Sequence, residues 1–375
     1  MTATTGPDTG AGPPIHRVAI VGTGLIGTSI ALAATRAGDA VSGWDADPDV
    51  AARAAAAGGP SVAHTLAVAV SEADLVVVCT PIPAIAPTVV AVLDLAPEAI
   101  VTDAGSIKAQ IAREVTAQAP TEALPRFVPG HPLGGSERSG PEHASASVVD
   151  DIVWALAPTE ASDPGAVDRL AGWIARLGAR PVRLTPDRHD RLVAFVSHLP
   201  QVASTSLMGL AATEEAGEPD ILLLAAGGFR DLTRLAASNP RLWSQILIAN
   251  SGQIAEAIDS YVARLLALRD QIADERGPEV ERTFDEAKRA RLRLAAKPTV
   301  RAGVAVLQVE IPDEPGALAR ITAAMGAGGV NIEDLQIVHS PEGGRGTVHV
   351  TVAGAAADDA ARTLAGSGYD PIRLA

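Results

Sequence analysis

The apolar run Val18 to Val21 leads straight into Gly22-Thr23-Gly24-Leu25-Ile26-Gly27, and an alanine-rich stretch carries on to Ala37. Few short segments restrict a chain more. Glycines at this spacing between a strand and a helix make a turn built for a pyrophosphate: Gly22 permits the tight bend, Gly24 lets the anion approach the backbone, and Gly27 lets helix and strand pack closely. The helix start at Leu25 and Ile26 then offers unpaired N–H groups to the anion. Such a turn belongs to a parallel sheet, and the chain repeats the pattern. Ala40 to Trp44 reads as a strand and Pro48 opens a helix, while Leu75 to Cys79, Ile100 to Asp103 and Phe127 to Val128 are near-continuous apolar runs, as in strands covered on both faces. Ile152 to Leu156 and Val182 to Leu184 flank a helix near Val167 to Leu177. The expected fold is α/β, with a doubly wound, Rossmann-type dinucleotide-binding domain over residues 15–184. Residues 1–14, rich in Thr, Gly and Pro, are expected to be a disordered tail.

Asp45 ends the second strand, eighteen residues past Gly27. A carboxylate there accepts from a ribose 2′-hydroxyl and repels a 2′-phosphate, so the expected cofactor is NAD rather than NADP.

Thr185-Pro186-Asp187 starts a helix, and strand signals then vanish for about a hundred residues. Residues 185–297 therefore form an all-α domain. Ile254, Ile258, Tyr261, Leu265, Leu268 and Ile272 alternate at spacings of four and three, a stripe that needs a partner helix. The uncharged stretch around Leu192 supplies a second apolar surface, which points to dimerisation, with a homodimer expected. After Lys297-Pro298 the texture changes. Strands at Val304 to Val309, Ile332 to His339, Thr347 to Val352 and Ile372 to Leu374 alternate with helices at Gly316 to Ala327 and Ala355 to Ala365, a ferredoxin-like βαββαβ module over residues 302–375.

Composition narrows the function. The 375 residues carry a net charge of −14, which opposes a nucleic-acid backbone, and four Trp, two Tyr and four Phe leave little for base stacking. No nucleic-acid partner is expected. The lone cysteine, Cys79, forms no internal disulfide and suits a reducing compartment, so a cytoplasmic protein is expected. No Cys/His cluster has metal-ligand spacing, and no metal is expected. The uncharged stretches Leu75 to Leu93, with three prolines, and Leu192 to Thr213, with His198, Pro200 and Gln201, read as buried soluble segments rather than membrane spans.

Open parallel sheets bind ligands at the carboxyl ends of their strands. Asp103-Ala104-Gly105-Ser106-Ile107-Lys108 and Gly130-His131-Pro132-Leu133-Gly134-Gly135-Ser136-Glu137 both fall there. His131 has two readings, a capping or packing residue of a turn, or a base that takes a carbinol proton as hydride leaves. His198 in Val196-Ser197-His198-Leu199-Pro200 is either a satisfied core histidine or a ligand contact. Arg230 and Arg234, four apart on an expected helix, share a face and serve either neighbouring carboxylates or an anionic substrate.

Taken in order, GTGLIG, DAGSIK, GHPLGGSERSG, VSHLP and GGFRDLTR resemble the prephenate dehydrogenases, which make the tyrosine precursor, over Arg17 to Leu294. The resemblance implies that His131 is catalytic with Ser106 as its partner, that His198 and Arg234 contact substrate, and that Glu137 stands near the pocket entrance. Arg230 matches a position where the family also has lysine. The implied reaction is NAD-dependent oxidative decarboxylation of prephenate. Arogenate, with an amino group in place of the side-chain ketone, is the alternative substrate.

The segment Ala302 to Ala375 resembles an ACT domain, which binds amino-acid effectors. Within Ile311-Pro312-Asp313-Glu314-Pro315-Gly316, the resemblance points to Asp313 and Gly316, and further on to Asn331, as effector contacts; Gly316 exposes helix N–H groups to a carboxylate. A glycine and an asparagine that merely make turns are the other reading. The pathway suggests tyrosine as effector. Two other classes stay open. A 3-hydroxyacid dehydrogenase would use a lysine on the helical domain, where none stands out, and a non-catalytic NAD and amino-acid sensor leaves His131 and Ser106 without a purpose.

Overall fold

The computed structural model describes residues 13–134, 140–295, 304–312, 314–339 and 345–374. Residues 1–12 of the expected tail lie outside them. The chain divides into two compact units, Met1–Gly217 with Leu232–Val262, and Glu218–Asp231 with Ala263–Ala375.

In the first unit, β1 (Arg17–Val21), α1 (Leu25–Arg36), β2 (Ala40–Trp44), α2 (Pro48–Ala56), β3 (Ser61–Val62), α3 (Leu66–Val70), β4 (Leu75–Val78), α4 (Ile82–Leu95), β5 (Ile100–Asp103) and α5 (Ala109–Gln118) follow in turn. The strands form a five-stranded parallel sheet in the order β3-β2-β1-β4-β5. Strand periodicity explains why continuous apolar runs were needed. Val18, Ile20, Leu75 and Val77 face one core with Ile30 and Leu170, whereas Ala19, Val21, Val76 and Val78 face the other with Ile85, Val89 and Ile111. β3, only two residues long, carries no periodicity that a sequence could reveal.

Phe127 and Val128 are not a strand of this sheet. Phe127 makes one parallel bridge to Val101, and Pro129, which has no N–H to give, ends the pairing. The chain instead builds a separate three-stranded sheet, β6 (Gly130–Pro132), β7 (Val153–Leu156) and β8 (Arg180–Arg183), with α6 (Pro164–Arg176) between the last two. β6 runs antiparallel to β7, with His131 opposite Ala155, and β7 runs parallel to β8. His131 thus stands on a strand and not in a turn.

Thr185 caps α7 (Pro186–Val193) by accepting from the Arg188 N–H. A π turn over Ala194–His198 follows, closed by the Leu199 N–H on the Ala194 carbonyl, and leads into α8 (Leu199–Glu214). The widened turn accommodates Pro200, whose missing N–H and ring would disrupt a regular helix interior. Then come α9 (Asp220–Leu223), α10 (Gly227–Thr233), α11 (Pro240–Ala249), α12 (Ser251–Ala273) and α13 (Gly277–Ala295). The stripe on α12 is core at its start, where Ile254 is 5 % exposed and packs with Ala194 and Ala257. Further along it is open: Tyr261, Leu265 and Ile272 are exposed, the last by 60 %.

In the second unit, β9 (Val304–Pro312), α14 (Ala317–Ala327), β10 (Asp334–His339), β11 (Arg345–Ala353), α15 (Ala357–Gly366) and β12 (Ile372–Leu374) make the expected βαββαβ module. Its sheet is antiparallel in the order β10-β11-β9-β12. Leu307, Val309, Val348 and Val350 form its core with Ile321 and Leu364 of the two helices. No helix among the described residues is long and apolar enough to cross a membrane.

Asp39, buried ahead of β2, accepts from Trp173 Nε1 at 2.9 Å and Arg176 Nη2 at 2.8 Å, pinning α6 to the parallel sheet. Asp39→Ala strands the Trp173 donor and removes the charge partner of Arg176, which keeps its bonds to the Ala37 and Ile15 carbonyls, and urea titration should show a loss of about 2–4 kcal/mol. A change within about 0.5 kcal/mol, the range of an ordinary surface substitution, would contradict this.

Candidate active site

The glycine turn meets its steric demands at two residues. Gly22 has φ +95°, and a Cβ there would lie 2.7 Å from the Cys79 carbonyl carbon. At Gly27 a Cβ would lie 2.0 Å from the Gly22 oxygen. Gly24 is different, since nothing stands within 4 Å of where its Cβ would be. Beyond it, α1 begins with no side-chain cap, at Leu25 and Ile26, so its first N–H groups are available to an anion. Asp45 lies just past β2 and accepts from the Thr23 N–H at 2.7 Å and the Asp47 N–H at 3.0 Å. The carboxylate therefore holds the turn as well as bounding it, with lone pairs left for a ribose hydroxyl. The buried Thr80 hydroxyl, at the end of β4, has no hydrogen-bond partner. An open cradle, an uncapped helix start and an orphan hydroxyl together suit a dinucleotide.

At the end of β5, Asp103 and Lys108 are both fully buried and form an ion pair. Lys108 Nζ also donates to the Gly130 carbonyl at 2.7 Å, while Asp103 accepts from the Gly105 N–H at 2.9 Å and the Gly130 N–H at 3.3 Å. Burial lowers the Lys108 pKa and Asp103 opposes that shift. The pair clamps the segment carrying Ser106 to the strand carrying His131. The motif by itself gives Lys108 no role; its one signal in the sequence is a cation and an anion five residues apart across a glycine.

Half-buried His131 places Nδ1 2.9 Å from Nε2 of His189, whose Nδ1 is 2.8 Å from Asp190 Oδ1. Asp190 also accepts from the backbone N–H groups of Lys108 at 2.7 Å and Ala109 at 2.8 Å, so it caps α5 from another helix. No hydrogen bond joins Ser106 to His131 among the described residues; Ser106 lies half-buried in the bend before α5. Burial, then His189, Lys108 and His198, push the His131 pKa well below its ordinary value. His198, buried at the end of the π turn, contacts Asn250 Nδ2 through Nδ1 at 3.2 Å and Trp243 edge-on at 6.0 Å between ring centres. Burial and His189 lower its pKa to about 4, against the opposing charge of Asp190. His189, Asp190 and Asn250 were not found from the sequence. The adjacent imidazole and carboxylate behind the Pro186 helix start were the available signal for two of them.

α10 stops at Thr233, and Arg234 opens a 3₁₀ turn, so the two arginines do not continue on one helix. Gln201 braces this turn, donating to the Leu235 carbonyl at 2.8 Å and accepting from Ser238 at 3.3 Å. Arg230 is exposed and belongs to the second unit. In that unit Gly316, at φ +86°, stands at the N-terminus of α14, and the Asn331 amide donates to Glu333 at 2.9 Å. Glu137 and Asp313 lie outside the described residues.

Comparison with known proteins matches three family models in chain order. "Prephenate dehydrogenase, nucleotide-binding domain" matches residues 30–183, "Prephenate dehydrogenase, dimerization domain" residues 185–286, and "ACT domain" residues 305–365. The chain is 30 % identical to a prephenate dehydrogenase of Bacillus subtilis (strain 168), over 89 % of its own length and 91 % of the relative's. It is 34 % identical to a cyclohexadienyl dehydrogenase of Zymomonas mobilis, over 76 % and 98 % of the two chains. The crystal structure of prephenate dehydrogenase from A. aeolicus, in complex with hydroxyphenyl propionate and NAD+, superposes with a TM-score of 0.70 at 26 % identity, covering 76 % of this chain and 99 % of that one. With its glycine turn, its histidine at the sheet edge and its three matched domains, this chain belongs to the prephenate dehydrogenase family.

Proposed function

We propose that the chain catalyses the NAD-dependent oxidative decarboxylation of prephenate, giving 4-hydroxyphenylpyruvate, CO2 and NADH. The observation that carries this reading is the clamp by which Lys108 joins the Ser106 segment to the strand of His131, in the same unit as the open glycine turn. Gly22, Gly24, Leu25, Ile26, Gly27 and Asp45 hold the dinucleotide. Bound there, NAD+ would supply the hydride acceptor for the carbon that bears the substrate's ring hydroxyl. His131 takes the hydroxyl proton, and Ser106 orients that hydroxyl. Arg234 and His198 hold the substrate, whose two carboxylates need a local cation within an acidic chain. The family motifs also assign Arg230 and Glu137 to substrate binding. Loss of the ring carboxylate as CO2 leaves an aromatic ring, which supplies the driving force, so the protein has chiefly to position and polarise.

The reading divides the chain into a dinucleotide domain at 15–184, a dimerisation and substrate domain at 185–297 and an ACT domain at 302–375. The open end of the α12 stripe supports a homodimer. Gly316, Asn331 and Asp313 are the contacts for an amino-acid effector, with tyrosine the one the product suggests.

With NAD+ and either prephenate or arogenate supplied, NADH and CO2 should appear together with prephenate; release with arogenate alone would overturn the substrate. His131→Asn should lower kcat about 10²- to 10⁴-fold and leave NAD+ affinity unchanged, and near-normal turnover would remove His131 from the chemistry. The pH profile follows from the same residue. Because the His131 pKa is lowered, the base stays unprotonated as pH falls through 6.5, and kcat/KM should decline only at lower pH. A midpoint at or above 6.5 would contradict this. Arg234→Ala should raise the KM for prephenate by a factor corresponding to about 2 kcal/mol. An unchanged KM would leave Arg234 structural. Tyrosine should bind the intact protein, and Asn331→Ala should weaken that binding in calorimetry. Equal affinity in the two proteins would count against the effector site.

A further inference from the structure

His131 and His198 each have one ring nitrogen tied to the same buried residue, Asp190, through one intermediary: His131 to its carboxylate by way of His189, and His198 to its backbone carbonyl by way of Asn250. Each tie has a direction. Asp190 Oδ1 and Oδ2 already accept the backbone N–H groups of Lys108 and Ala109. A carboxylate has no proton to give, so the 2.8 Å contact between His189 Nδ1 and Asp190 Oδ1 carries the His189 proton. A neutral imidazole has one proton. His189 Nε2 is then an acceptor, and His131 Nδ1, 2.9 Å away, must donate to it. His131 Nε2 is left bare. On the other branch, Asn250 Nδ2 lies 2.9 Å from the Asp190 backbone carbonyl, which can only accept, so the amide group facing it is the NH2. Its second hydrogen goes to His198 Nδ1 at 3.2 Å. His198 then keeps its proton on Nε2.

We infer that Asp190, acting through His189 and Asn250, sets His131 and His198 in opposite tautomers, so that one ring keeps a free proton acceptor and the other a free hydrogen-bond donor. His189, Asp190 and Asn250 are positioning residues, and the inference rests on the reading of His131 as the base. For His131 the imposed form, with the proton on Nδ1, is the one an isolated imidazole disfavours, which makes it a distinctive signature. The arrangement also explains why one carboxylate caps α5. The helix start behind Ser106 and the tautomer of His131 then depend on the same atoms, and neither can shift alone.

The test is a long-range ¹H–¹⁵N correlation spectrum of the full-length protein with labelled histidines, at neutral pH, with the two rings assigned by His131→Gln and His198→Gln. The expected result is a proton on Nδ1 of His131 and on Nε2 of His198. A proton on Nε2 of His131, or a doubly protonated His131 or His189 ring, overturns the inference. His189→Leu should then return His131 to the Nε2–H form and lower kcat by about 10²- to 10⁴-fold, the scale of general-base assistance, with the upper end matching loss of the tautomer-fixing partner in the Ser-His-Asp triad. His189→Gln, whose side-chain carbonyl reaches the place of Nε2, should restore the spectrum and part of the rate. If His189→Leu leaves spectrum and kcat unchanged, the inference fails. The spectrum needs no turnover, so the two readings fail separately. A protein with the expected tautomers that does not oxidise prephenate refutes the activity, and an active one with the proton on His131 Nε2 refutes the wiring.

Discussion

Removing two opposite charges from water costs several kcal/mol each, and only close pairing with further hydrogen bonds offsets it. Asp103 and Lys108 meet that condition. Neither is exposed at all, and between them they engage each other, two backbone N–H groups and one carbonyl. The interaction's value is more geometric than energetic. Apolar residues of the same volume would stabilise the core as well, yet they would not force the loop after β5 and the strand β6 into one register. The clamp decides where Ser106 and His131 stand, and the rest of the candidate site is arranged around that placement.

A second consequence concerns the small sheet. A histidine on a loop would sample many orientations, whereas on β6 its backbone is fixed by pairing with β7. α6 follows β7, and Asp39 ties α6 back to the parallel sheet. The rigid elements therefore form a closed circuit through β5, β6, β7, α6 and β2. Asp39, Asp103 and Lys108 are paired within that circuit, whereas the Thr102 hydroxyl, Trp154 Nε1 and Arg169 Nε are buried without a hydrogen-bond partner.

The helical region follows a different logic. Its stripe on α12 begins as core against Ala194 and ends on the surface. Phe195, Val196, Leu210, Ile248 and Phe284 add further exposed apolar area. A run of this kind is more than isolated surface leucines would explain, and it falls largely within the matched dimerisation domain.

Local chemistry was legible from the residues themselves. Glycine spacing specified the turn at Gly22 to Gly27 because only a residue without a Cβ tolerates φ +95° or a carbonyl at 2.0 Å. Period-two and continuous apolar runs disclosed β1, β2, β4 and β5, and the alternation after Val304 disclosed the βαββαβ module, because burial acts through nearest neighbours in the chain. Family motifs brought His131, Ser106 and His198 forward. What stayed hidden depends on residues distant in sequence. Pro129 diverted the chain into a second sheet, whose pairing partner lies more than twenty residues on. Lys108 became a buried clamp only because Gly130 arrived beside it, and Asp190 became a helix cap 82 residues from the N–H it accepts. Hydrogen bonds are directional and short, so which carboxylate meets which donor is decided by packing that no local pattern encodes.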